Sequence, residues 1–165
     1  MSKTIVSLVL TLLMSAGCTS TAPLPTASYT APAHTSAAVL YVFRGHSMPT
    51  KANVDIQIDG TGVGFVAPGT FTWVTVQPGK RLVGVGYPSF PNMRPELEMD
   101  FAPGQRYLVE YDSKFGQEFS WFGTREAPKP GVRWDGRGGY TRIRAVPIGG
   151  LSQVVDHYRY VSNQP

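Results

Sequence analysis

Six cations crowd one stretch late in the chain: Arg125, Lys129, Arg133, Arg137, Arg142 and Arg144, against Glu126 and Asp135 as the only acids among them. Trp134 and Tyr140 interleave with these cations. Arginine offers bidentate hydrogen bonds to phosphate or carboxylate, and aromatic rings stack on sugars or on partner side chains. Arg133, Trp134, Arg137, Tyr140 and Arg142 are therefore the candidate contact loop, with a merely solvated loop as the alternative. The acids have a pattern of their own. Glu96, Glu98 and Asp100 recur at every second residue and share one face of a strand. Such a row could hold a divalent cation, or could equally guard a sheet edge against pairing. Asp55-Ile-Gln-Ile-Asp59-Gly60 has the rhythm of a calcium loop, but the twelfth position, which needs a carboxylate, is Val66. Gly62-Val-Gly64 formally opens a dinucleotide fingerprint, yet that motif must begin a helix and Pro68-Gly69 follows at once. His46 and His157 lack companions at ligand spacing, and no serine sits in a Gly-x-Ser-x-Gly elbow. The chain is expected to be non-enzymatic, with no metal and no cofactor. A catalytic set assembled only in three dimensions is the least favoured alternative.

The single cysteine has a different context. Lys3 supplies a positive start, Ile5 to Met14 form a short apolar run, and Ser15-Ala16-Gly17 precede Cys18. An apolar run this short suits a signal peptide rather than a permanent membrane span. Cysteine directly after Ala-Gly resembles the lipobox of bacterial lipoproteins. The resemblance implies cleavage before Cys18, a lipid on its sulfur and an acyl group on its new amine. Several acyl chains on one residue anchor durably where one does not. The expected location is the bacterial cell envelope, lipid-anchored; Thr19 in place of an aspartate favours the outer membrane, facing the periplasm. Export also makes nucleic acid a poor partner for the net charge of +4. With Cys18 consumed by the anchor, no disulfide is left to hold the fold.

Removing residues 1–17 leaves about 148 residues, enough for one domain with a proper core. Eighteen glycines and fourteen prolines favour turns and strands over long helices. Residues 18–38 are rich in Thr, Ala, Pro and Ser, include His34, and read as a flexible tether. The domain is expected over 39–165. Val39 to Arg44 is a β-branched and aromatic run suited to a strand covered on both faces. Val54, Ile56 and Ile58 alternate with Asp55, Gln57 and Asp59, and Asp59-Gly60 is a hairpin turn signal. Pro68-Gly69, Pro78-Gly79 and Pro103-Gly104 are read as three further hairpin turns separating strands at Phe71–Val76, Arg81–Tyr87, Glu96–Phe101 and Arg106–Tyr111. Glu118–Phe122 could be one more strand, Ala127–Gly139 is loop chemistry, and Tyr140–Val146 regains strand character. Leu151, Val154, Val155 and Tyr158 recur at helical spacing, with a strand over Val154–Val161 as the rival reading. The predicted fold class is all-β, a mostly antiparallel β-sandwich with a short C-terminal helix as an option.

Residues Val39 to Tyr111 resemble a family of small bacterial lipoproteins of unknown function with a β-sandwich domain. The matching residues are Tyr41-Val42-Phe43-Arg44, Ile56-Gln-Ile-Asp-Gly60, Gly69-Thr-Phe71, Val76-Gln-Pro-Gly-Lys80 and the turn Pro103 to Gln105. The middle of this pattern is also similar to the PEGA-type surface domain. The resemblance implies architecture and brings no catalytic residues. The expected function is a membrane-anchored envelope lipoprotein that docks a protein partner. The alternative is a binding module for an anionic envelope polymer such as peptidoglycan.

Overall fold

The computed structural model describes residues 31, 36–45, 51–114, 130–134 and 140–163. Among these described residues, ten strands and one α-helix follow in order: β1 (Ala38–Arg44), β2 (Val54–Ile58), β3 (Thr61–Val66), β4 (Thr70–Val76), β5 (Gly79–Gly86), β6 (Glu96–Phe101), β7 (Arg106–Lys114), β8 (Val132–Trp134), β9 (Tyr140–Val146), α1 (Leu151–His157) and β10 (Arg159–Tyr160). They form a six-stranded sheet ordered β10-β4-β1-β7-β9-β8 and a four-stranded sheet ordered β3-β2-β5-β6. All pairings in the smaller sheet are antiparallel; in the larger one β1 runs parallel to β7 and β10 parallel to β4. The all-β sandwich expected from the sequence is the observed fold.

The strands read from alternation are present, and their apolar residues meet between the sheets. Leu40 and Val42 of β1, Val74 and Val76 of β4, and Val109 and Tyr111 of β7 face Val54 and Ile56 of β2, Val83 and Val85 of β5, and Phe101 of β6. Burying each such aliphatic side chain is worth about 1.5–3 kcal/mol. The larger sheet is also apolar on its outer face, where Val39, Tyr41, Phe43, Phe71, Trp73 and Leu108 form a second cluster. A strand buried at every residue, as β1 is, needs cover on both sides. The second cover is α1, through Leu151, Val154 and Val155, followed by Tyr158 and Tyr160. Phe43 meets Tyr158 edge-on at 5.2 Å, and Phe71 meets Tyr160 at 5.5 Å. The C-terminal rivals thus each take a share: Leu151–His157 is helix and Arg159–Tyr160 is strand.

The turns need a correction. Asp59-Gly60 joins β2 to β3 as a two-residue hairpin, with φ of 51° and 79°, the signs a type I′ turn requires. The three Pro-Gly turns are not hairpins. Pro68-Gly69 leads from β3 to β4, Pro78-Gly79 from β4 to β5, and Pro103-Gly104 from β6 to β7, so each carries the chain from one sheet to the other. Gly69, Gly79 and Gly104 have φ of 68°, 104° and 69°, which proline-led turns need at their third position. Local turn chemistry reports the reversal of the chain but not which sheet the next strand joins.

Two further features lay outside the sequence reading. Within Ala127–Gly139, residues Val132–Trp134 are strand β8, paired antiparallel with β9. Ala31, in the stretch read as tether, is 1% exposed and its N–H donates to Tyr41 Oη at 3.2 Å. The readings at Cys18, His34, His46 and Glu118–Phe122 lie outside the described residues. No helix among the described residues is long and apolar enough to cross a membrane.

Candidate functional site

The β8–β9 pairing sets the geometry of the candidate contact residues. Trp134 lies opposite Tyr140, and Arg133 opposite Thr141. Thr141 is fully buried, and its hydroxyl donates to the Met93 carbonyl at 2.5 Å. Arg133 reaches from that side toward the smaller sheet, where its guanidinium lies 3.8 Å from the Glu96 carboxylate. Tyr140 and Arg142 instead converge on Asp112 of β7: the Tyr140 hydroxyl donates to Asp112 Oδ2 at 3.0 Å and Arg142 Nη2 at 2.6 Å. The Arg142 guanidinium also stands 5.4 Å from the centre of the Tyr140 ring. Arg133 therefore points away from Tyr140 and Arg142. Arg133 belongs to the seam between the sheets, Tyr140 and Arg142 to the outer face of the larger sheet, and Arg137 lies outside the described residues.

The charge of this region also changes once strands are paired. Arg144 stands directly opposite Glu110, and Arg142 opposite Asp112. Each arginine makes an ion pair with its cross-strand partner, an arrangement worth a few tenths of a kcal/mol to about 1 kcal/mol on an exposed sheet face. The hydrogen bond and the charge of Glu110 hold the Arg144 guanidinium above its ordinary pKa. The bond to Asp112, followed by burial, raises the Tyr140 hydroxyl. Counting acids only inside residues 125–144 missed Glu96, Glu110 and Asp112, which other strands bring in.

Beside this ladder lies a groove of about 470 Å³ between α1 and the outer face of the larger sheet. Phe43, Leu108, Val146 and Val154 give it an apolar floor, and His157 and Tyr158 give it a polar rim. Burial, with a smaller contribution from Glu110, raises the Tyr158 hydroxyl above its ordinary pKa. His157 Nδ1 lies 2.8 Å from the Gln153 carbonyl, one helical turn back, and donates its N–H to that oxygen, which can only accept. This volume is within the range of binding clefts. An apolar floor with a hydrogen-bonding rim can seat an apolar side chain and orient the polar backbone that carries it. The pattern Leu151, Val154, Val155, Tyr158 was the sequence signal for the helix, but nothing in it showed that the helix leaves a groove.

The remaining candidates settle into structural roles. Glu96, Glu98 and Asp100 lie on β6, the edge strand of the smaller sheet, with Leu97, Met99 and Phe101 turned to the core. Glu98 pairs with Lys80 at 3.7 Å. Among the described residues no group of three His, Cys, Asp or Glu side chains is placed to hold a metal ion. Asp59 accepts the Leu82 N–H at 2.9 Å and pairs with Arg81 at 3.2 Å. The Leu82 N–H, and then Arg81, hold its carboxyl below the usual aspartate range. Gly62 and Gly64 are in β3 and begin no helix. A Cβ on Gly64 would fall 2.7 Å from the side-chain amide of Asn163.

Sequence reasoning gave Arg44 no role of its own. It is fully buried at the end of β1, between the rings of Tyr87 and Tyr111 at 5.4 and 5.6 Å. Nη1 donates to the Ala52 carbonyl at 2.5 Å and Nη2 to the Tyr87 hydroxyl at 2.9 Å. Burial lowers the pKa of its guanidinium. The available signal was a lone cation closing an otherwise apolar strand. Comparison with protein-family models and with curated proteins returns no match.

Proposed function

We propose that this chain is a lipid-anchored envelope lipoprotein, held to the membrane through Cys18, whose β-sandwich docks a protein partner without catalysing a reaction. The resemblance of Ser15-Ala-Gly-Cys18 to a lipobox supports the anchor, and that of Val39–Tyr111 to lipoprotein sandwich domains supports the class. The observation that carries docking is the groove beside α1, apolar below and hydrogen-bonding at its rim. Arg133, Arg142 and Arg144 each already face a carboxylate, which favours a protein partner over an anionic polymer.

Two measurements test this. Metabolic labelling with palmitate should mark the wild-type chain and leave Cys18→Ala unmarked; an unlabelled wild type, or a labelled variant, overturns the anchor. Photo-crosslinking in cells from position 153 on the groove, with position 82 on the other sheet as control, tests docking. A discrete protein adduct from 153 alone supports it. An adduct with peptidoglycan, or none from 153, overturns it.

A further inference from the structure

Residues 148–163 stand apart from the core of the sandwich. The apolar cluster between the sheets takes no residue from this segment. The segment instead meets the outer face of the larger sheet, where Val154 joins the second cluster and Leu151, Val155, Tyr158 and Tyr160 pack against it. Its strand, β10, lies at the edge of that sheet and interrupts no other pairing. The segment can therefore leave without breaking the packing between the sheets.

Its hold on the outer face is slight near the helix. α1 has seven residues, Val154 as its one buried side chain, and Gly150 at its start with no side-chain cap. A helix so short is marginal in water and relies on packing, yet the groove of about 470 Å³ separates it from part of the sheet. Such a gap forfeits contacts that would hold the helix down. In the same cluster, the buried Trp73 Nε1–H has no acceptor among the described residues, a cost that contact with water removes. The chain enters the helix through Gly149-Gly150, and a Cβ on Gly149 would meet nothing within 4 Å, which leaves the backbone there free to turn.

The far end is fastened better. The Arg159 and Val161 N–H groups donate to the Gly69 and Phe71 carbonyls at 3.2 and 2.9 Å. Asn163 then reaches across to the smaller sheet. Its Oδ1 accepts the Phe65 N–H at 3.1 Å, and its Nδ2 donates to the Phe65 carbonyl at 2.8 Å and to Thr72 Oγ1 at 2.7 Å. Gly64 leaves the room that this amide occupies.

We infer that residues 148–163 lift from the outer face and return to it as one unit, pivoting at Gly149-Gly150 with Asn163 as the latch, while the sandwich stays folded. Opening uncovers Phe43 and Leu108 on the floor of the groove. The segment thus gates the site proposed for docking; that consequence rests on the docking reading, whereas the motion itself does not.

The test is hydrogen exchange of the full chain in detergent micelles, read by mass spectrometry on peptides from residues 148–163, from β1 and from β7. In wild type, 148–163 should exchange faster than β1 and β7, as a unit that opens short of global unfolding does. Asn163→Ala removes three hydrogen bonds and should speed 148–163 about tenfold, with β1 and β7 unchanged. Val154→Ala, at the other end, should speed residues 159–163 along with its own helix. Three results would overturn the inference: wild-type 148–163 exchanging at the β1 rate, Asn163→Ala leaving 148–163 unchanged, or either variant speeding β1 and β7 equally. Exchange needs no partner, so a missing crosslink from position 153 counts against docking alone.

Discussion

Removing the Tyr87 hydroxyl probes the buried cation directly. Tyr87→Phe keeps the ring over Arg44 and deletes the 2.9 Å hydrogen bond that the hydroxyl accepts from Nη2. A hydrogen bond to a charged, buried group is worth about 1.5–3 kcal/mol, so the substitution should cost about 2 kcal/mol. Arg44→Ala removes that bond, the bond to Ala52 and both ring contacts, and it empties a fully buried site. Its cost should be about 4 kcal/mol, the scale of large-to-small core changes. Arg44→Met fills most of the volume and avoids burying a charge, a trade that often comes out close to neutral, so about 1–2 kcal/mol is expected. The assay is urea unfolding followed by circular dichroism. With a slope of about 2 kcal/mol/M, the midpoint should fall by about 1 M for Tyr87→Phe and about 2 M for Arg44→Ala, with Arg44→Met between wild type and Arg44→Ala. A Tyr87→Phe midpoint within about 0.2 M of wild type, or Arg44→Met as damaging as Arg44→Ala, would refute the reasoning.

The hairpin at Asp59 gives a pH prediction. Its carboxyl is depressed in the folded chain, so its contribution is present above the unfolded pKa of about 4 and is lost as pH falls through the lower folded value. Asp59→Asn keeps a residue that tolerates the positive φ, so its urea midpoint should lie below wild type at pH 7, with the gap narrowing as the pH falls below about 4; a gap that does not change with pH would show that charge is not the cause. Two glycines should separate strain from collision. Gly60→Ala meets open space at φ 79° and should cost about 1–2 kcal/mol, whereas Gly131→Ala, at φ 73° with Ile143 O 2.5 Å from the new Cβ, should cost more. Equal melting temperatures for the two variants would contradict this. Arg144→Gln, which removes a half-exposed ion pair, should change stability by less than about 1 kcal/mol in urea; a larger loss would mean that the ladder supports the fold.

Most strands were legible because alternation is a local property. Val54, Ile56 and Ile58 show their buried face within five residues, and Asp59-Gly60 states its own turn. The unbroken apolar run of β1 also announced that both faces are covered. What covers them could not be read, since the second cover is supplied by α1, far along the chain. The Pro-Gly turns failed as hairpin signals for a similar reason: turn geometry is set by four residues, and sheet membership by partners elsewhere. β8 escaped notice because three residues among glycines, prolines and arginines carry no period. At the candidate site, Tyr140 and Arg142 were legible as members of one basic, aromatic stretch. Their partner Asp112 was not, because cross-strand opposition depends on register. Asn163 was invisible, an asparagine whose role exists only once Gly64 stands beside it.

The parallel pairing of β1 with β7 bears on how the chain reaches this structure. Tyr41 lies opposite Leu108 and Trp73, so β1, the first strand among the described residues, is bonded on both sides by strands made later. Closing such long loops is entropically expensive, and topologies dominated by distant contacts fold slowly. Until β4 and β7 arrive, Ala-Val-Leu-Tyr-Val-Phe waits with no charge before Arg44, in the kind of segment that aggregates when left exposed. The strand at the centre of the finished sheet is thus the one that most needs shelter during folding, and a holdase that binds extended apolar segments would find its target there.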